Sequence, residues 1–125
     1  MTAVNDAVQL IKSENIKGID HIYSFFIPEN YVAAISTTDL LVTDVGEFYT
    51  EYGSNKHTES VRTVAVNIYK GSKATGSLDI LMDNLVTAFE NSGWSVIYSS
   101  PIMIDPISYQ KTKAFQFRNY RKREF

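Results

Sequence analysis

The chain holds few of the residue combinations that metal or redox chemistry requires. Its two histidines, His21 and His57, are far apart in the sequence, and neither has a second histidine at the i+2 or i+4 spacing that places two ligands on one metal. Cysteine is absent, which excludes disulfides, thiolate zinc sites and thiol catalysis. We therefore predict no metal site.

Acid–base and nucleophilic sites are also weakly indicated. Asp20 adjoins His21 and Glu59 lies near His57, but neighbouring polar residues in loops are usually solvated. The chain has no GxSxG, P-loop or GxGxxG motif, and its KGSKATG loop lacks the strand–GxxxxGK[ST]–helix order that binds phosphates. We predict no catalytic residue and a protein that is not an enzyme, with a small hydrolase using His57 or a serine as a rival hypothesis.

Length and composition favour one globular domain covering residues 1–125. Apolar residues make up 44% of the chain and charged residues 21%, which is enough apolar side chain for a core. The net charge of −2 argues against broad attraction to nucleic acid or membrane. No apolar run approaches the roughly 20 residues that a membrane helix needs, so we expect a protein that stays in the cytoplasm after synthesis.

Periodicity predicts helices at two places. The first runs from about Thr2 to Glu14, and the second follows Ser77, a candidate N-cap, and ends at Gly93. Extended segments are predicted between and after them: an edge strand or an extended arm over 21–27 that ends at Pro28, a strand over 39–45 that Gly46 closes, and strands over 61–69, 94–98 and around 115–117.

The order of these elements lacks the regular βαβ alternation that implies a parallel sheet. The sequence therefore predicts an α+β fold, in which a mostly antiparallel β-sheet packs against two amphipathic helices. An N-terminal helix opens the domain and a short basic tail closes it.

Two segments are candidates for contact with partners. Residues 46–60 combine aromatic and polar side chains, as interface anchors often do, and read as a long hairpin connection. The candidate subunit-interface residues are Phe48, Tyr49, Tyr52, Asn55 and Lys56. The candidate basic contact surface consists of Arg118, Arg121, Lys122 and Arg123, and it allows a rival hypothesis of a small nucleic-acid-binding module.

From about Asp20 to Lys122 the chain resembles a family of known proteins. The residues that carry the resemblance are Ile27-Pro28, the DLLVTDV strand, EYGSN, the AVNIY strand, NSGW after the second helix, DPISYQ and the closing FQFRNYRK. Their order is similar to that in tail terminator, or tail completion, proteins of long-tailed bacteriophages of Gram-positive hosts.

The resemblance implies a structural protein without a cofactor. Subunits would form a homo-oligomeric ring, expected to be a hexamer, that caps the tail tube protein and joins it to the head–tail connector protein. The protein would then act in the host cytoplasm during assembly and afterwards in the virion tail, without a membrane or a specific nucleic acid as partner. Another head–tail neck or connector protein is the alternative within this reading.

Overall fold

A computed structural model describes residues 2–26, 37–53, 56–107 and 109–122, and for 48–53, 56–59 and 121–122 it describes the backbone alone. The described elements, in chain order, are α1 (Ala3–Ser13), β1 (His21–Ser24), β2 (Thr38–Gly53), β3 (Lys56–Lys70), α2 (Leu78–Asn91), β4 (Ser95–Ser99), β5 (Met103–Ile104) and β6 (Lys111–Lys122). In this part of the chain, no helix is long and apolar enough to cross a membrane.

The strands form one sheet of six in the order β1-β2-β3-β6-β4, with β5 also paired to β6. β1 runs parallel to β2, and the other strand pairs are antiparallel. The predicted α+β class with a mostly antiparallel sheet and two helices is confirmed. The predicted edge strand is confirmed from His21 to Ser24, but β1 ends there, before Phe25, whose φ is 71°. Pro28, the predicted end, lies outside the described residues.

Both helices begin and end where the sequence predicts. The Thr2 hydroxyl accepts a hydrogen bond from the Asn5 N–H at the start of α1, and the Ser77 hydroxyl accepts one from the Ile80 N–H at the start of α2. Such caps satisfy amide groups that have no partner within the helix. Gly93 has a φ of 87°, a left-handed conformation that costs glycine little and ends α2.

Both helices cover the same face of the sheet, which we call the helix-covered face. Alternation along the strands places Val64, Val66 and Ile68 of β3 on this face, where they are fully buried. Phe89 of α2 stacks on Phe117 of β6 with ring centroids 4.0 Å apart. The buried residues of α1 and α2 join these strand residues in one core cluster.

Two details of the strands correct the sequence prediction. Gly46 does not close the second strand, because β2 continues through it to Gly53 with a bulge at Val45. A bulge lets a glycine interrupt the alternation of a strand without ending its pairing. Residues 46–60 are consequently not a long connection, since pairing continues to the pair Gly53 and Lys56.

Candidate subunit interface

The β2–β3 hairpin continues past the ends of β1 and β4. β1 pairs with β2 only as far as Val42, and β4 pairs with β6 only as far as the level of Thr63, whereas β2 and β3 stay paired to Gly53 and Lys56. We call residues 47–53 and 56–62 the arm. At about 3.3 Å per residue, the strand from Arg62 to Lys56 is roughly 20 Å long. Of the described strands, only β6 accompanies the arm, up to the pair Glu59 and Lys122.

The predicted interface residues lie on the backbone of this arm. Phe48, Tyr49 and Tyr52 belong to β2 and Lys56 begins β3, while Asn55 lies outside the described residues. Their side chains are not described, so their role in an interface stays a prediction. The pairing shows that the arm is a continuous ribbon, a form that carries side chains on two opposite faces.

A buried arginine fixes the base of the arm to the domain. Arg62 donates from Nη1 to a carboxylate oxygen of Asp6 at 2.6 Å and from Nε to the side-chain oxygen of Asn119 at 2.9 Å. Its guanidinium also lies 5.6 Å from the ring centre of Trp94. Because Asp6 belongs to α1 and Asn119 to β6, this cluster joins a helix to two strands at the level where the arm begins.

The predicted basic surface is only partly described. Arg118 lies in β6 between Thr63 and Ser95, on the face that the two helices do not cover, which we call the outer face. Its Nε is buried and has no hydrogen-bond partner among the described residues. Arg121 and Lys122 continue β6 with side chains that are not described, and Arg123 lies outside the described residues. Whether the four form one surface stays a prediction.

In the structure, His21 pairs with Asp39 and not with Asp20, its neighbour in the sequence. His21 Nδ1 lies 2.8 Å from a carboxylate oxygen of Asp39, which is only 2% exposed, because β1 and β2 align these residues directly. Asp20 instead accepts a hydrogen bond from the Thr38 N–H. Tyr69 lies beside Asp39 on β3, and burial raises the pKa of its phenol above the usual 10.0. Sequence reasoning missed the pair of His21 and Asp39, because parallel pairing between distant segments leaves no local pattern in the sequence.

Other chemical sites are not prominent. Among the described residues, no group of three or more His, Cys, Asp or Glu side chains is placed to hold a metal ion. A cavity of about 520 Å³ lies between α2 and the turn after α1, with a mixed lining that includes Glu14, Lys70 and Asn84. It brings together no nucleophile and base that the structure pairs by a hydrogen bond.

A second surface feature was not predicted. β4 and the chain between β4 and β6 expose several large apolar side chains, which we call the apolar edge: Ile97, Tyr98, Ile102, Met103, Ile104, Ile107 and Tyr109. Single exposed apolar residues are common, whereas larger exposed apolar surfaces mark contact sites. The available signal was PIMIDPI, a proline-punctuated segment that is too apolar for an ordinary loop.

Comparison with known protein families gives a match over nearly the whole chain. A family model described as "Protein of unknown function (DUF806)" matches residues 2–121, which is nearly the whole chain. No curated protein matches the chain. The matched span includes all the described helices and strands, apart from the last residue of β6.

Proposed function

The chain belongs to the DUF806 family, and we propose that it is a structural tail terminator protein of a long-tailed bacteriophage. In this role its subunits form a ring, which the resemblance sets at six copies, that caps the tail tube and meets the head–tail connector. The observation that carries the proposal is the arm, because a paired ribbon that continues past the ends of β1 and β4 can reach a neighbouring subunit.

The chemistry of the described surface supports an assembly role over an enzymatic one. The apolar edge offers contact area, and aromatic or aliphatic anchors provide most of the binding energy in protein interfaces. His21 and Asp39 could act as a base and an acid, but they join two adjacent strands. Among the described residues, no serine or threonine hydroxyl is hydrogen-bonded to the imidazole of His21. Contact with other subunits is therefore the best-supported activity.

A ring places a geometric demand on its subunits. Each copy must present two different surfaces that fit each other, since a head-to-tail contact closes only through repeated rotation. An arm on one subunit and a receiving surface on the next satisfy this demand. Damage to the arm should block closure while each domain stays folded.

The arm can be tested by the double change Tyr49→Ser/Tyr52→Ser. We expect folded monomers by light scattering and circular dichroism, where the unchanged protein forms a ring. Ile80→Ser, which alters an exposed apolar residue of α2, is the matched control and should assemble normally. If the double variant still assembles and only a chain ending at Tyr120 fails, the C-terminal strand and not the arm would hold the ring.

The function itself is tested in a phage that lacks this gene. We expect electron microscopy to show tails of uncontrolled length, and supply of the protein to restore a uniform length. Tails of normal length would contradict the proposal. If those normal tails also failed to join heads, the protein would be a connector of the neck; strong, salt-sensitive DNA binding would favour the nucleic-acid-binding alternative.

A further inference from the structure

A second apolar surface lies at the opposite edge of the sheet from the apolar edge. β1 is the first strand of the sheet, and just after it Phe25 and Phe26 are exposed, as is Val45 at the bulge of the adjacent β2. We call these three residues the β1 patch. β4 and β5 lie at the other side of the sheet, beyond β6. The molecule thus exposes apolar side chains at two opposite edges.

The charges beside the two surfaces are mainly of opposite sign, and Asp105, a carboxylate at the apolar edge, accepts a hydrogen bond within its own turn. Asp44 and Glu47 line the same cavity of about 170 Å³ as Phe25, beside the N-terminus of α1. Arg62 also lines this cavity, and its guanidinium is paired with Asp6. At the apolar edge, Lys111 is exposed and pairs across the strands with Ile104. Lys113 lies close by, and its ammonium group donates to the Ser99 hydroxyl at 2.7 Å. Complementary charges of this kind fix the orientation of two surfaces that dock.

The apolar edge is held in shape by its own turn. The Asp105 N–H donates to the Gln110 carbonyl at 2.9 Å, and the Tyr109 N–H donates to the Asp105 carbonyl at 2.8 Å. The Asp105 carboxylate accepts a hydrogen bond from the Ile107 N–H at 2.8 Å. Ile107 is nevertheless 89% exposed. A surface that is ordered before it binds loses less conformational entropy on association.

We propose that the apolar edge of one subunit docks against the β1 patch of a second copy of this chain, and that this is the lateral contact of the ring. Two different apolar surfaces at opposite edges, one flanked by carboxylates and the other by lysines, fit a head-to-tail contact and do not fit a two-fold one, which would join like to like. The inference rests on the proposed ring and names the surfaces that close it, in addition to the arm.

The test uses two variants that each damage one edge. Phe26→Asp disables the β1 patch, and Ile104→Asp/Ile107→Asp disables the apolar edge; all three side chains are exposed, so circular dichroism should show native folding. Each variant alone should be monomeric by light scattering, with association weakened roughly tenfold or more. Ile80→Asp, on α2, is the control and should assemble as the unchanged protein does.

The decisive measurement is an equimolar mixture of the two damaged variants. Each retains one intact edge, so the mixture should form a species of twice the monomer mass and nothing larger. A mixture that stays monomeric, a damaged variant that still forms rings, or an unchanged protein that is monomeric at every concentration would overturn the inference. If both variants still form rings, the docking inference is wrong but the proposed terminator function is not contradicted. Normal tail lengths in a phage without the protein would contradict the terminator function, whatever the two variants show.

Discussion

The helix-covered face and the apolar edge contain the same kinds of residue in opposite surroundings. On the helix-covered face, Phe89, Phe117 and Ile68 are fully buried against one another and the helices. At the apolar edge, Ile104 and Ile107 remain exposed. The difference lies in the supply of covering elements: two helices cover one face, and the described residues place neither helix over the edge. Apolar composition therefore shows which residues can be buried. Only the packing shows whether the chain covers them itself or leaves them for a second chain to cover.

The largest effect is expected at the centre of the helix-covered face. Phe89→Ala removes the ring that stacks on Phe117 and contacts the edge of Trp94, and it leaves a cavity. Truncation of a buried aromatic costs about 3–5 kcal/mol of the free energy of unfolding. Leu85→Ala, also fully buried, should cost about 2–5 kcal/mol. Urea denaturation measures both, and an unchanged midpoint would show that the stripe of α2 does not face the core.

The next largest effect is expected where the helix-covered face ends, at Arg62. Arg62→Ala removes two charge-assisted hydrogen bonds and the contact with Trp94, and should lower the free energy of unfolding by about 1.5–3 kcal/mol. The partly exposed Asp6 partner limits the loss, because water can solvate its carboxylate. A double-mutant cycle with Asp6→Asn measures the coupling energy between Arg62 and Asp6. A coupling energy near zero would show that the lost free energy of unfolding comes from the other contacts of Arg62 and not from the ion pair.

A smaller effect is expected from the pair that joins β1 to β2. His21→Ala removes one hydrogen bond from the buried Asp39 carboxylate and should cost about 1 kcal/mol in a urea titration. Asp39 keeps contacts with other groups, including the Thr37 hydroxyl at 3.4 Å. His57→Ala, in the arm, is the comparison, and the sequence predicts a loss under about 0.5 kcal/mol. Equal losses in the two variants would show that the His21–Asp39 contact contributes nothing.

Local patterns predicted the helices and the strands that face them. In each of these elements, the spacing of apolar residues along the sequence indicates which side is buried. The apolar residues of α2 and the alternation from Val64 to Ile68 are of this kind. Features that depend on pairing between distant segments left no such signal. The alignment of His21 with Asp39 requires the parallel β1–β2 pair, and the continuation of β2 past Gly46 requires β3 beside it. The exposure of the apolar edge could not be predicted from the sequence, because a short apolar run has the same pattern whether it is buried or exposed.

The outer face should show a dependence of stability on pH. Because burial raises the pKa of Tyr69, the folded phenol holds its proton at pH values where the unfolded one has lost it. The stabilising contribution of Tyr69 is therefore complete below pH 10.0 and declines as the pH rises through the folded-state pKa. Relative to the unchanged protein, Tyr69→Phe should lose less stability between pH 9 and pH 11 in urea titrations. Parallel curves for the two proteins would show that Tyr69 ionises alike in both states.

The smallest effect on the monomer is expected at the apolar edge, and it tests the opening comparison directly. Ile107→Ala removes as much apolar material as a core truncation of the same type, yet the side chain is already 89% exposed. The free energy of unfolding of the monomer should change by less than about 0.5 kcal/mol. Association should weaken, because the same side chain becomes buried only when a second copy docks. A loss of monomer stability comparable to that of Leu85→Ala would mean that Ile107 packs within its own chain, and the edge would then belong to the core and not to an interface.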